Sequence, residues 1–142
     1  RSCSSVTSEA ECVMPVWLAV GIGGFLGAIA RYRISESLSQ WCEQRFGRPY
    51  PLGTFAVNVL GCLLIGLLMT VILEKRLSEN TQKLLITGGL GSLTTFSTFG
   101  LDAVNLFREG KAALAIGYVA ANLVVGLLAV LAGLGIARLF MR

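Results

Sequence analysis

Five hydroxyl side chains, Ser92, Thr94, Thr95, Ser97 and Thr98, crowd into the stretch GGLGSLTTFSTFG between Gly88 and Gly100, inside an otherwise apolar run. Phe96 and Phe99 stand among them at i and i+3, so they project from one side of a helix. Two polar stripes occur elsewhere at helical spacing. Thr54 and Asn58 lie at i and i+4, with Gly61 and Cys62 continuing that face, and Tyr118, Asn122 and Gly126 fall at i, i+4 and i+8. These groups offer amide hydrogens, hydroxyl hydrogens and the positive edges of aromatic rings, which can solvate a small anion without a fixed counter-charge. They are poorly suited to acid–base catalysis. The chain has no histidine, the usual general base, and no nucleophile–base pair or metal constellation is visible. Its four cysteines, Cys3, Cys12, Cys42 and Cys62, form no pair at metal-ligand spacing. Cys42 reads as a loop residue and Cys62 as a buried, inert thiol.

The charged groups near the ends of the apolar runs that bear on a pathway are Arg31, Arg33 and Asp102. No Asp, Glu or Lys sits mid-run, and a proton-coupled carrier needs a central carboxylate. Asp102, the nearest candidate, reads first as a helix cap or ion-pair partner. Asn58 taken alone reads equally well as glue between helices, since a buried membrane hydrogen bond contributes roughly 0.6–2 kcal/mol without any transport role. Two aligned stripes plus the hydroxyl-rich segment favour a polar pathway. The glycines of GIGGFLG do not make a dinucleotide loop, because no strand precedes them and the G-x-G-x-x-G spacing fails at Leu26. Gly23 and Gly27 instead read as a close-packing pair, and Gly61 and Gly66 as thinning the second span.

The elements that must position these groups are membrane helices. Of 142 residues 54% are hydrophobic and 14% charged, against roughly a quarter charged in a soluble chain, and mean hydropathy is +0.72. Uncharged runs cover Val16–Ala30, Leu52–Leu73, Leu84–Leu101 and Ala112–Ala137. About 20 apolar residues cross a bilayer; the first run is short unless Arg31 sits near a boundary. The expectation is an all-α integral membrane domain over residues 14–142, with four transmembrane helices and the third one broken. Residues 1–13 have no apolar stripe and read as a disordered tail or an addition to the natural chain, with Met14 the natural start. Ala28-Ile29-Ala30 matches a signal-peptidase site, but Glu9 and Glu11 stand where a positive segment should precede it.

The break is the unusual feature. Irregular backbone survives at membrane depth only inside protein or beside a water-filled cavity. Gly88, Gly89 and Gly91 loosen the third helix, and the neighbouring hydroxyls can satisfy the freed backbone groups. A broken helix exposes carbonyls at one half-helix end and amides at the other, which makes ion sites.

Charge counting gives no orientation. With four spans, Arg1, Lys75, Arg76, Lys83, Arg138 and Arg142 share one side, and Arg31, Arg33, Arg45, Arg48, Arg108 and Lys111 the other. An even split leaves both orientations open and makes an antiparallel dimer plausible, with a single topology set by one dominant loop as the alternative.

GGLGSLTTFSTFG, together with PLGTFAVNVLG and GGFLGAIARY, resembles the Fluc (CrcB) fluoride channels in family order over nearly all of Met14–Arg142. The resemblance implies antiparallel, dual-topology homodimers of four-span subunits in the bacterial inner membrane, with two pores lined by both copies. It implies passive fluoride export that lowers fluoride toxicity, with no enzyme activity and no nucleic-acid partner. Phe96 and Phe99 would meet the ion edge-on, Asn58 would donate its amide, and Thr54 would lie near it. Ser97 and Thr98 would line the pore, Tyr118 and Asn122 would continue a polar track on the fourth helix, and Arg31 would supply positive potential in the vestibule. Backbone carbonyls of Gly91 and Thr94 from both subunits would hold a central structural sodium ion. Gly126 departs from the serine of better-known members, so the track is carried no further than Asn122. Rival readings are a dual-topology multidrug exporter, which lacks its mid-span carboxylate here, and a structural membrane assembly protein.

Overall fold

The computed structural model describes residues 14–47, 50–75 and 77–140; the tail over residues 1–13 lies outside the described residues. The chain is all-helical there. The elements are α1 (Val16–Phe46), α2 (Leu52–Lys75), the short α3 (Glu79–Gln82), a π-helical segment (Lys83–Leu90), α4 (Gly91–Leu93), α5 (Phe96–Arg108) and α6 (Ala112–Phe140). Three stretches are long and apolar enough to cross a membrane: Leu52–Glu74, Glu79–Arg108 taken through its interruption, and Ala112–Phe140.

α1 departs from the sequence expectation. It does not stop near Ala30 but runs 31 residues, about 46 Å at 1.5 Å per residue. Cys42, expected in a loop, is a fully buried helical residue. The reason is a change of pattern: after Arg33 the chain turns from uniformly apolar to amphipathic, and Ile34, Leu38 and Cys42 keep one face towards the protein. Gly47 ends the helix with φ 66°, a left-handed conformation only glycine adopts cheaply, and its N–H bonds the Glu43 carbonyl at 2.8 Å.

Two glycine seams hold the helices together. α2 and α6 cross where a methyl on Gly66 would overlap the Val130 carbonyl, and one on Gly133 the Leu63 carbonyl. α1 lies on the π-helical segment with Gly23 against Leu84 and Gly27 against Gly89, and a methyl on Gly88 would meet the Val20 carbonyl at 2.5 Å. With lipid as apolar as leucine, close backbone approach supplies the packing contact that water-exclusion cannot. The Gly23 and Gly27 pair therefore does what its spacing suggests.

The Glu79–Arg108 stretch is interrupted halfway along. Thr94 (φ −81°, ψ 154°) and Thr95 (φ −149°, ψ 114°) are extended. The interruption is not at the glycines themselves. Gly88 and Gly89 are wound into the wide π turns, and Gly91 is helical at φ −61°, ψ −31°. β-branched threonines suit extended backbone, and the side chain that receives the freed Thr95 amide, Asn58, comes from α2.

Candidate ion pathway around the broken helix

Backbone accounting at the break identifies its partners. In a continuous helix the Thr95 amide would bond the Gly91 carbonyl and the Thr98 amide the Thr94 carbonyl. Both are diverted. Thr95 N donates to Asn58 Oδ1 at 2.9 Å, and Thr98 N donates to Thr95 Oγ1 at 3.3 Å. The Asn58 amide also reaches back to the Thr95 carbonyl at 3.4 Å. Thr94 Oγ1 and its own N–H both donate to the Leu90 carbonyl at 3.1 Å. The carbonyls of Gly91 and Thr94 are thus left without their helical donors, as are those of Ser92 and Leu93 between them, whose i+4 amides begin α5.

That donor set fits a hard monovalent cation, which takes neutral oxygens and needs no carboxylate. Gly91 and Thr94 also line one cavity of about 310 Å³ with Gly61, Cys62, Ile65, Ile86 and Leu90. Gly91 is exposed in the single chain and Thr94 half-buried, so both face a surface rather than the core. α2 comes close here because Gly61 has no side chain: a methyl on it would overlap Thr94 Cγ2.

The two polar stripes meet. Asn58 Nδ2 lies 3.4 Å from Asn122 Oδ1, Asn122 Nδ2 donates to the Tyr118 carbonyl at 3.0 Å, and Tyr118 Oη donates to Asp102 Oδ2 at 3.3 Å. One turn further along, Gly126 faces Cys62, whose sulfur is 3.4 Å from where a methyl would be. The result is a line of hydrogen-bonding groups from the break towards Asp102. Both contacts of the Asn58 amide group are long for hydrogen bonds, so its hydrogens are weakly engaged. Among the described residues Asp102 is neither a cap, a role Thr95 fills for α5, nor an ion-pair member. Among the described residues the ion pair is Lys111–Glu109. Asp102 is the acceptor of a tyrosine.

Phe96 and Phe99 stack at 5.5 Å between centroids, tilted 50°, and Phe99 continues to Tyr118 at 5.5 Å with a 39° tilt. The two phenylalanines differ sharply in cover. Phe99 is 8% exposed, packed with Ala103, Tyr118 and Phe55, whereas Phe96 is 81% exposed at the middle of the span.

Thr54 and Thr98 share a polar cleft of about 380 Å³ with Tyr32, Ser35, Glu36 and Asp102. Thr54 is buried and Thr98 exposed; Ser97, also exposed, lies 3.3 Å from the Thr95 hydroxyl. Arg31 is half-buried on α1 beside Tyr32 but is not in the wall of that cleft. Thr95, buried at 8%, is the central residue that the sequence assigned no site role. Its position directly before Phe96, with Thr98 three residues on, is an N-cap signature that could have singled it out.

A multi-pass, all-helical membrane protein with a hydrogen-bonded interruption in mid-span is the class that this geometry defines. The chain matches the protein-family model described as "CrcB-like protein, Camphor Resistance (CrcB)" over residues 18–134, and it belongs to that family. Curated relatives named "Fluoride-specific ion channel FluC" are similar over most of their length. One from Chloroflexus aurantiacus is 47% identical, covering 87% of this chain and 95% of its own. One from Stutzerimonas stutzeri is 44% identical over 85% and 95%, and one from Rhizobium etli 43% identical over 85% and 94%.

Proposed function

We infer that this chain is a fluoride-specific ion channel that lets cytoplasmic fluoride leave passively down its electrochemical gradient, lowering fluoride toxicity. The observation that carries the reading is the 47% identity, over 95% of its length, to a relative bearing that name. The broken span supports it, with its uncharged donors and stacked rings. Fluoride is small and strongly hydrated, so a selective pore must replace several water hydrogen bonds at close quarters with fixed donors. Neutral donors hold it loosely enough to leave. The Asn58 amide, weakly engaged with Thr95 and Asn122, can turn its hydrogens to the ion. The edges of Phe96 and Phe99 supply positive potential, Thr54, Ser97 and Thr98 add hydroxyls, and Tyr118 and Asn122 carry the track onwards, with Arg31 attracting anions from the aqueous side.

In this reading α1, α2, the interrupted third span and α6 are four crossings of the bacterial inner membrane, and two copies pair antiparallel. The exposed Phe96 and Gly91 support a second copy, since both lie mid-span without cover. A structural sodium ion between the copies would be held by the Gly91 and Thr94 carbonyls and would fix the two breaks against each other. Expression of the chain in bacteria stripped of their own fluoride export should restore growth on fluoride medium. Growth no better than with an empty vector would count against the reading.

A further inference from the structure

We propose that Thr95, acting through its side-chain hydroxyl, is the positioning residue of the cation site; this rests on the sodium reading above. Helix-terminal carbonyls can hold a cation only if no amide already occupies them. Thr95 keeps two of them open. Its extended backbone turns its own N–H away from Gly91 and onto Asn58 Oδ1, at 2.9 Å. Its hydroxyl accepts the Thr98 amide at 3.3 Å, which removes the one donor that would otherwise close on the Thr94 carbonyl. The same hydroxyl donates to Thr98 Oγ1 at 3.0 Å, so its geometry is held from both directions.

The neighbouring side chain does the complementary task. Thr94 directs Oγ1 and N–H onto Leu90, which satisfies that carbonyl twice and excludes it from the site. The choice of Gly91 and Thr94 over Leu90 as cation ligands follows from which amides and hydroxyls are spent where. Thr95 itself is buried, so it acts through Thr98 and Asn58 and not by touching an ion. Without its hydroxyl the Thr98 amide, lacking an acceptor at membrane depth, would return to the Thr94 carbonyl.

The test is the sodium dependence of thermal unfolding in detergent, with choline chloride holding ionic strength constant. Wild type should be stabilised by sodium chloride along a saturating curve. Thr95→Val, nearly isosteric but without the hydroxyl, should need at least tenfold more sodium for half the effect. Thr95→Ala should behave likewise. Thr95→Ser keeps the acceptor and should stay within threefold of wild type. Unchanged half-points in Thr95→Val or Thr95→Ala, a tenfold shift in Thr95→Ser, or a wild type indifferent to sodium would each overturn the proposal. Fluoride release from liposomes made with the same wild-type preparation separates the two claims. No release alongside an intact, hydroxyl-dependent sodium response would remove the channel reading and leave this one standing.

Discussion

Asn58 and Thr95, 37 residues apart, are joined across the break: Oδ1 of the asparagine accepts the threonine amide at 2.9 Å, while Nδ2 lies a loose 3.4 Å from the threonine carbonyl. One side-chain oxygen on α2 thus replaces the helical hydrogen bond that the interruption costs the Thr95 amide, while the Thr95 carbonyl, as the N-cap of α5, still accepts the first bond of that helix. Removing it leaves the Thr95 amide unsatisfied in a medium that offers no water.

Replacing Asn58 with leucine, close to it in volume, should therefore destabilise the protein by about 1–3 kcal/mol, the cost of orphaning one buried amide. Denaturant titration followed by far-ultraviolet circular dichroism measures this. A loss within experimental error would mean that the break is held by something else.

The glycine seams make a contrast within one helix. A methyl on Gly23 or Gly27 would run into backbone carbonyls of the facing π-helical segment, whereas one on Gly21 meets nothing within 4 Å. Gly23→Ala and Gly27→Ala should each cost about 1–3 kcal/mol of overpacking, and Gly21→Ala should cost nothing measurable. The order of melting temperatures in detergent reports the difference.

Phe96→Ile and Phe99→Ile should both slow fluoride release while leaving the helical content unchanged. Their stabilities should differ, because Phe99 is buried at 8% exposure and Phe96 is 81% exposed in the single chain. Phe99→Ile should lose more in a melting experiment on the monomeric fraction. Full-rate release from both variants would show that the ring edges do not act on the ion.

Asp102→Asn separates a channel from a proton-coupled exporter. The tyrosine hydroxyl that now donates to Asp102 at 3.3 Å keeps an acceptor in the amide oxygen, so the fold should persist. Fluoride should still flow with no requirement for a pH gradient. An exporter would instead show proton-driven uptake of cationic dyes that this substitution abolishes.

Much of this site is legible in the chain because its signals are periodic. The stripes Thr54–Asn58 and Tyr118–Asn122 have helical spacing, and Asn58 does meet Asn122; Gly23 and Gly27 likewise pack where four-residue spacing puts them. What the chain conceals depends on partners distant in sequence. The break falls at Thr94–Thr95, beyond the glycines, because Asn58 and Gly61 approach there from another helix. Asp102 looked like a cap or an ion-pair member until its acceptor role towards Tyr118, 16 residues on, was visible. The second half of α1 is hidden for a different reason. The uniformly apolar run ends at Arg31, while the helix continues on the amphipathic pattern Ile34, Leu38, Cys42 to the left-handed Gly47.

In the proposed channel, uncharged donors pass fluoride and refuse larger halides. The direct measurement is potential-driven ion release from proteoliposomes, with matched internal fluoride and chloride, potassium carried by valinomycin, and no pH gradient across the membrane. Fluoride should empty rapidly while chloride stays inside. Equal rates for the two ions, or fluoride retained until a proton gradient is imposed, would contradict the channel reading.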